Sequence, residues 1–322
     1  TGGTIGMQKT ASNYLQPFNF NSLLSSFPEL KDFNANIKYI STQKSIDSSD
    51  MNPDKWIEIA KIIEENYNRY NSFVILHGTD TMAYTASALS FMLQGLNKAV
   101  ILTGSQIPIG ARRTDAKENL ITSIEIAVSN KISEVCIYFE NKLLRGNRTV
   151  KVNSEHFEAF VSPHFPNLAD VGVNIKYNEK VISKKLEKFS VTKKMNNNIA
   201  LLKLFPGISE KLVESIIDKS KSIVMESYGS GNSSSNKKFI SILKRAIEKG
   251  KIIVNCSQCL NGRVEQGKYE NSSELENIGV ISAKDMTTES AVTKLMYLMG
   301  KEMKIDVIKD KFKLSLRGEI SN

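Results

Sequence analysis

The chain has 322 residues, 41% of them hydrophobic and 24% charged, with a formal net charge of +9. This is ordinary for a soluble globular protein long enough to form two domains. The longest apolar runs fall far short of a membrane span and no secretory signal peptide is visible. The lysines are scattered among Asn, Ser and Ile without interleaved aromatics, so neither a membrane nor nucleic acid is expected as a partner.

The chain opens on Thr1-Gly2-Gly3-Thr4-Ile5-Gly6, which sets threonine hydroxyls beside glycines. The segment Lys9–Asn13 that follows is polar and has no regular period, as a closing loop should be. Asn52-Pro53 reads as a helix start, with Trp56, Ile59, Ala60 and Ile63 on the apolar face. Phe73–Leu76 reads as a buried parallel strand and runs into a second threonine segment, His77-Gly78-Thr79-Asp80-Thr81. A helix with Met82, Ala86, Leu89 and Leu93 on one side comes next. The strand 99–102 then ends in Thr103-Gly104, a helix starts near Asp115, and Val135–Phe139 is a strand. That order predicts βαβ units and a parallel sheet, with ligands at the carboxyl ends of the strands.

Residues 181–198 are rich in Lys, Ser and Asn, and 186–198 is the expected linker between domains 1–185 and 199–322. Beyond it a second α/β pattern starts. Strands are expected at 199–204, 223–225 and 251–254, a helix carries Phe239, Ile240, Leu243 and Ile247, and a last long helix covers 289–299. Cys136, Cys256 and Cys259 are too few for a disulfide framework and fit a reducing compartment. The Cys256-x-x-Cys259 spacing is read as a loop with two thiols, because Asn261-Gly262 follows as a turn and no further zinc ligands are suitably spaced. No metal and no cofactor are expected.

The two threonine segments resemble the paired signatures of the bacterial-type L-asparaginase family. The match extends through Asp47-Ser48-Ser49-Asp50-Met51, Thr103-Gly104-Ser105-Gln106-Ile107-Pro108, Arg145-Gly146-Asn147-Arg148 and Ser227-Tyr228-Gly229-Ser230-Gly231-Asn232. The run from Met82 to Leu93 and the ending Leu316-Arg317-Gly318-Glu319 are similar to the cytoplasmic, type I branch. The resemblance implies a two-domain asparaginase/glutaminase-like α/β fold, with a larger N-terminal parallel-sheet domain and a smaller C-terminal α/β domain. It also implies a strand ahead of Thr1, so the natural N-terminus is expected upstream. The implied activity is hydrolysis of L-asparagine to L-aspartate and ammonia through a threonine acyl-enzyme, in the cytoplasm.

Hydroxyl-based amide hydrolysis needs a nucleophile, a base, an oxyanion site and a substrate clamp. Carried over from the family, Thr4 is the nucleophile and Tyr14, on the mobile lid, hydrogen-bonds it. Thr79, Asp80 and Lys151 form the second catalytic set, in which Lys151 is either a base or an orienting charge. Gly3 brings a backbone N–H close to the substrate. Asp47, Ser48 and Ser49 form the clamp, with Ser48 and Thr79 taking the substrate carboxylate and Asp80 its ammonium. Ser105 supplies a backbone contact to the amide. Asn232 reaches the active site of a neighbouring subunit, so a homodimer or homotetramer is implied. His77 is expected to pack at the strand end.

One departure bears on regulation. Regulated type I members hold an effector asparagine with an arginine before Ser-Tyr-Gly and a threonine before the motif lysine. Here Glu226 and Val150 stand at those positions. Three rival readings stand beside the leading one: an N-terminal nucleophile hydrolase using Thr1, a homologue acting on glutamine or on the amide of a charged transfer RNA, and an amino-acid sensor without catalysis.

Overall fold

The computed structural model describes residues 1–9, 15–17, 27–42, 45–183, 187–267 and 270–321. They form two compact units, 1–193 and 194–322.

In the first unit, helix α1 (Pro53–Asn66) starts as expected. The Asn52 side chain accepts from the backbone N–H of Asp54 (3.0 Å) and of Lys55 (3.2 Å), and Trp56, Ile59, Ala60 and Ile63 are buried. Strand β1 (Phe73–Leu76), helix α2 (Met82–Met92), strand β2 (Val100–Thr103), helix α3 (Ala116–Val128) and strand β3 (Val135–Phe139) follow. β1, β2 and β3 pair in parallel through these helical crossovers, and β2 and β3 are buried along their whole length. Helix α2 is not one-sided as the spacing of Met82, Ala86, Leu89 and Leu93 suggests. It is buried on every side except at Tyr84, and Leu93 leaves it to begin a short strand. Its seryl, threonyl and alanyl positions are core positions, and small residues there let neighbouring elements approach on all faces.

The sheet continues beyond its parallel half. β4 (Lys142–Arg145), β5 (Ala169–Val171) and β6 (Ile175–Tyr177) add antiparallel strands, so the order is β6-β5-β4-β3-β2-β1. β3 and β4 are joined by Glu140-Asn141, both at positive φ (36° and 61°), the geometry of a tight hairpin. The stretch 186–198 is partly drawn into this unit. Ser190–Val191 pairs with Leu93–Gln94, and the Phe189 ring stacks on Tyr67 with centroids 3.5 Å apart.

The second unit alternates strictly. β7 (Ile199–Lys203), α4 (Glu210–Asp218), β8 (Ser222–Ser227), α5 (Lys237–Glu248), β9 (Ile252–Ser257), α6 (Glu270–Asn277) and β10 (Ile281–Ser282) make a parallel sheet in the order β7-β8-β9-β10. Val213 and Ile217 of α4 pack with Phe239, Ile240, Leu243 and Ala246 of α5 against Leu202, Met225 and Ile253 of the strands. Cys256 is not in a loop. It lies buried inside β9, where burial pushes its thiol far up, while Cys259 is exposed beyond the strand end. Two helices close the unit: α7 (Thr288–Gly300), capped by Thr287 Oγ1 on Ser290 N at 3.1 Å, and α8 (Ile305–Lys313).

The Leu316-Arg317-Gly318-Glu319 ending has a physical role here. Glu319 and Lys294 of α7 are both fully buried, with Lys294 Nζ 2.5 Å from Glu319 Oε1. The carboxylate also accepts from Leu316 N at 2.9 Å and Arg317 N at 2.6 Å, and Nζ donates to the carbonyls of Phe312 (2.8 Å) and Leu314 (2.6 Å). Each buried charge is thus hydrogen-bonded to backbone as well as to its counterion, the condition under which a buried ion pair is tolerated. Glu319→Ala is expected to cost about 3–5 kcal/mol in urea unfolding, because it strands a buried ammonium and two N–H groups. A loss below about 1 kcal/mol would mean that the two carbonyls alone satisfy Lys294.

Candidate active site

Close backbone approach assembles the site. Gly3 and Gly78 touch: a methyl on Gly3 would strike the Gly78 nitrogen and lie 2.7 Å from the His77 carbonyl carbon, and Gly3 sits at φ +85°. Both facts require glycine. Gly78 in turn lies against Ser48, whose Oγ would be 2.5 Å from a Cβ at Gly78. Gly104, just after β2, lies equally close to the His77 carbonyl oxygen. Four segments, the Thr1–Gly6 loop, the Ser48 turn, the His77–Thr81 loop and the Thr103–Ile107 loop, therefore converge at the carboxyl ends of β1 and β2. That is where open α/β sheets bind ligands.

The His77–Thr81 loop is braced from below. His77 is fully buried, and burial pushes its imidazole down to about 4. Trp56 Nε1–H donates to Thr85 Oγ1 (3.0 Å), which lies 2.9 Å from His77 Nε2, and His77 Nδ1 lies 2.6 Å from the Gly78 carbonyl. The indole can only donate and the carbonyl can only accept, so the protons run one way: Trp56 to Thr85, Thr85 to Nε2, Nδ1–H to Gly78. His77 is thus neutral at pH 7 and packs at the strand end.

Lys151 comes in from a short antiparallel pair, Val150–Lys151 with Phe160–Val161. Its Nζ donates to Thr79 Oγ1 at 2.8 Å and to Asp80 Oδ1 at 2.6 Å. The Lys151 side chain is 15% exposed and that of Asp80 is 70% exposed, so the pair opens to solvent on the Asp80 side. Thr79 itself is 8% exposed.

Asp47 caps the turn Ser48–Asp50. Its Oδ1 accepts from Ser49 N at 3.0 Å and Ser49 Oγ at 2.8 Å, and the backbone donation first, then the hydroxyl, holds its carboxyl below the usual range. Ser48 is 4% exposed, and its carbonyl accepts from Thr81 Oγ1 at 2.6 Å. Ser105 is buried and donates to the Ile107 carbonyl at 2.7 Å. Asp115 does not cap α3 with its side chain. Its carboxylate accepts instead from Gln106 N (3.0 Å), Ile107 N (3.1 Å) and Asn119 Nδ2 (3.2 Å). The same Asn119 Nδ2 donates to the Gly104 carbonyl at 3.0 Å. In the sequence Gln106 stands only as part of the matched Thr103–Pro108 segment, and Asp115 only as the start of a helix. The signal available was the Asp115-x-x-x-Asn119 spacing, which puts both side chains over one face of the first helical turn.

Thr4 follows Gly3 and begins a 3-10 turn, Thr4–Gly6, anchored by the fully buried Ile5. Thr1 is occupied at the strand end, its Oγ1 donating to the Leu76 carbonyl at 2.6 Å. Tyr14 and residues 10–13 of the expected lid lie outside the described residues. Lys9, expected in that irregular segment, belongs instead to a short strand, Met7–Lys9, paired with Leu15–Pro17. A groove of about 880 Å³ runs beside β1 between α1 and α3 and is lined by Ile59, Ile63, Phe73 and Ile124. It includes Thr1 and Gly2 but not Thr4, Thr79, Asp80 or Lys151, so it is not the chemical centre.

In the second unit, Asn232 sits in a turn closed by Tyr228 N to Asn232 O (2.9 Å) and Asn232 N to Tyr228 O (2.8 Å). Asn255 Nδ2 and Ser257 Oγ pin this turn through the carbonyls of Gly231 (3.0 Å) and Gly229 (2.6 Å). Asn232 Oδ1 is buried and accepts no hydrogen bond among the described residues. Glu226 accepts from Thr288 Oγ1 at 2.7 Å and faces Lys203 Nζ at 3.5 Å.

Gly3→Ala tests the convergence. The added methyl must push the first loop off the second, and a displacement near 1 Å in such a site costs on the order of 100-fold in turnover. The variant should lose about that much of kcat/KM while keeping its far-UV circular dichroism. Unchanged kcat/KM would show that the two loops need not touch.

Residues 1–183 match the family described as Asparaginase, N-terminal, and residues 198–312 match the Glutaminase/Asparaginase C-terminal domain. Over 330 aligned residues the chain is 40% identical to L-asparaginase 1 of Escherichia coli K12, covering 100% of this chain and 96% of that one. It is 33% identical to a component of the glutamyl-tRNA(Gln) amidotransferase of Pyrococcus abyssi, covering 100% of this chain and 75% of that one. The fold matches the crystal structure of L-asparaginase I from Vibrio cholerae with a TM-score of 0.92 at 40% identity, covering 100% and 97% of the two chains. With both halves of the sequence matched and the glycine-built site in place, the chain belongs to the asparaginase family.

Proposed function

We propose that this chain hydrolyses L-asparagine to L-aspartate and ammonia. The observation that carries the reading is the contact of two threonine loops at Gly3 and Gly78, with Lys151 tying Thr79 to Asp80 beside it. Thr4 Oγ adds to the side-chain amide carbon, and its proton passes to the leaving nitrogen, with Tyr14 assisting as the family pattern implies. The C–N bond breaks, ammonia leaves, and an aspartyl ester remains on Thr4. Water then adds to the ester, Thr4 recovers its proton, and aspartate is released. Backbone N–H groups of the Gly2-Gly3 loop supply the oxyanion donors, and Ser105 supplies a backbone contact to the substrate amide. Asp80, largely exposed, pairs with the substrate ammonium, and Ser48 with Thr79 takes its carboxylate. Lys151 Nζ lies within hydrogen-bond reach of both Thr79 and Asp80, which supports an orienting role for its charge.

The active form in this reading is a cytoplasmic homodimer or homotetramer in which Asn232 serves a neighbouring subunit. No helix among the described residues is long and apolar enough to cross a membrane. A second reading, action on the amide of a larger substrate, is favoured by the similarity to an amidotransferase component. Ammonia release measured in parallel on asparagine, glutamine and buffer separates the two. Asparagine and glutamine differ by one methylene, so pocket size alone gives about 10–200-fold preference. Thr4→Ala should lower kcat on asparagine by about 1000-fold or more with the fold intact. Wild-type turnover in that variant would remove Thr4 from the mechanism.

The environment of Glu226 supports loss of effector control. An effector carboxylate needs a cation there, and the nearby cation, Lys203, already faces Glu226 at 3.5 Å. Reversing one charge is enough to cancel a typical coupling of about 1–3 kcal/mol. Velocity against asparagine should be hyperbolic, with a Hill coefficient near one. Clear sigmoidicity would show that an effector site persists despite Glu226 and Val150.

A further inference from the structure

Gln106 lies outside the set of residues assigned to the reaction, yet its carboxamide joins two parts of it. Its backbone is held by Asp115, whose carboxylate also fixes Ile107 N, and by Asn119 acting on the Gly104 carbonyl. The side chain therefore leaves a clamped loop. Its Nε2 lies 3.0 Å from the His156 carbonyl and 3.4 Å from the Asn153 carbonyl. These carbonyls belong to the turn that follows Lys151, which Asn153 caps through its Oδ1 on Glu155 N (2.9 Å) and His156 N (3.1 Å).

A carbonyl only accepts, so two carbonyls on one end of the amide fix that end as the NH₂. The other end is then Oε1, and it lies 3.3 Å from Thr79 Oγ1. An amide oxygen only accepts, so Thr79 must turn its proton toward Gln106. That leaves the Thr79 lone pairs for the Lys151 ammonium, 2.8 Å away. A threonine hydroxyl is otherwise free to rotate, and the Gln106 carboxamide removes that freedom. The geometry points to Gln106 as a positioning residue that sets the direction of the Thr79 hydroxyl proton and thereby the acceptor seen by Lys151. The inference rests on the reading of Thr79 and Lys151 as part of the catalytic centre.

Two substitutions separate this role from simple bracing. Gln106→Met keeps the length and loses both the acceptor and the donors. Gln106→Glu keeps an acceptor toward Thr79 but, when ionised, cannot donate to His156 and Asn153. With Gln106→Met, kcat on asparagine should fall about 10–100-fold, the range for losing one fixed hydrogen bond in a reacting network. With Gln106→Glu, kcat should recover to within about 10-fold of wild type, because the acceptor toward Thr79 is kept. Full kcat in Gln106→Met would overturn the proposal. Equal impairment of both variants would overturn it too, by assigning Gln106 to bracing the 153–156 turn alone. Lys151→Met and Thr79→Ala serve as controls. If either keeps wild-type turnover, the underlying reading fails. If both are inactive while Gln106→Met is not, only the role of Gln106 fails.

Discussion

The contact between Gly3 and Gly78 is the constraint on which the rest of the site depends. Two backbones meet there with no room for a side chain on either, and each glycine is followed by a threonine. Remove that contact and the first loop has no fixed position relative to the end of β1. Because of it, a hydroxyl from the chain's opening segment and one from residue 79 share a single small region. The contact is itself fixed from outside. Thr1 bonds to the Leu76 carbonyl at the end of β1, and Ile46 N bonds to the Thr1 carbonyl at 2.9 Å. The buried file from Trp56 through Thr85 and His77 then holds the Gly78 carbonyl.

Buried polar groups do the positioning, and exposed charge is left for the ligand. His77, Asn119 and Ser105 are almost fully buried, and the hydrogen bonds they make are to backbone or to side chains fixed by backbone. Such networks are costly when half satisfied and rigid when complete. Asp80, in contrast, is mostly exposed, and Lys151 is anchored by Thr79 while meeting Asp80 at the rim. Rigid support beneath a partly open charged pair suits binding of a zwitterion, because the support loses little entropy when the ligand arrives.

Much of the frame was legible in the sequence. Apolar runs marked β1, β2 and β3, glycine loops marked the ends of β1 and β2, and strict strand–helix alternation marked the second unit. The antiparallel half of the first sheet was not, because β5 and β6 are three residues each, too short to carry a period. The 186–198 stretch read as a linker because Lys, Ser and Asn outnumber Phe189 and Val191, the two residues that dock. Within the site, residue types at strand ends were legible. The Gln106–Asp115–Asn119 clamp was not, because a polar residue opening a helix ordinarily reads as a cap, and only the tertiary contacts reveal that Asp115 faces backward onto a loop. The cation facing Glu226 was equally hidden, since Lys203 lies on the neighbouring strand β7, aligned with it across the parallel sheet register.

The most direct measurement of the central claim is identification of the covalent intermediate. The enzyme is mixed with asparagine, quenched in acid within milliseconds, digested, and mapped by mass spectrometry. An aspartyl ester on the peptide that contains Thr4, formed at the rate of ammonia release, is the result this account predicts. An ester on the peptide that contains Thr79 would contradict it. So would ammonia release at full rate with no ester formed.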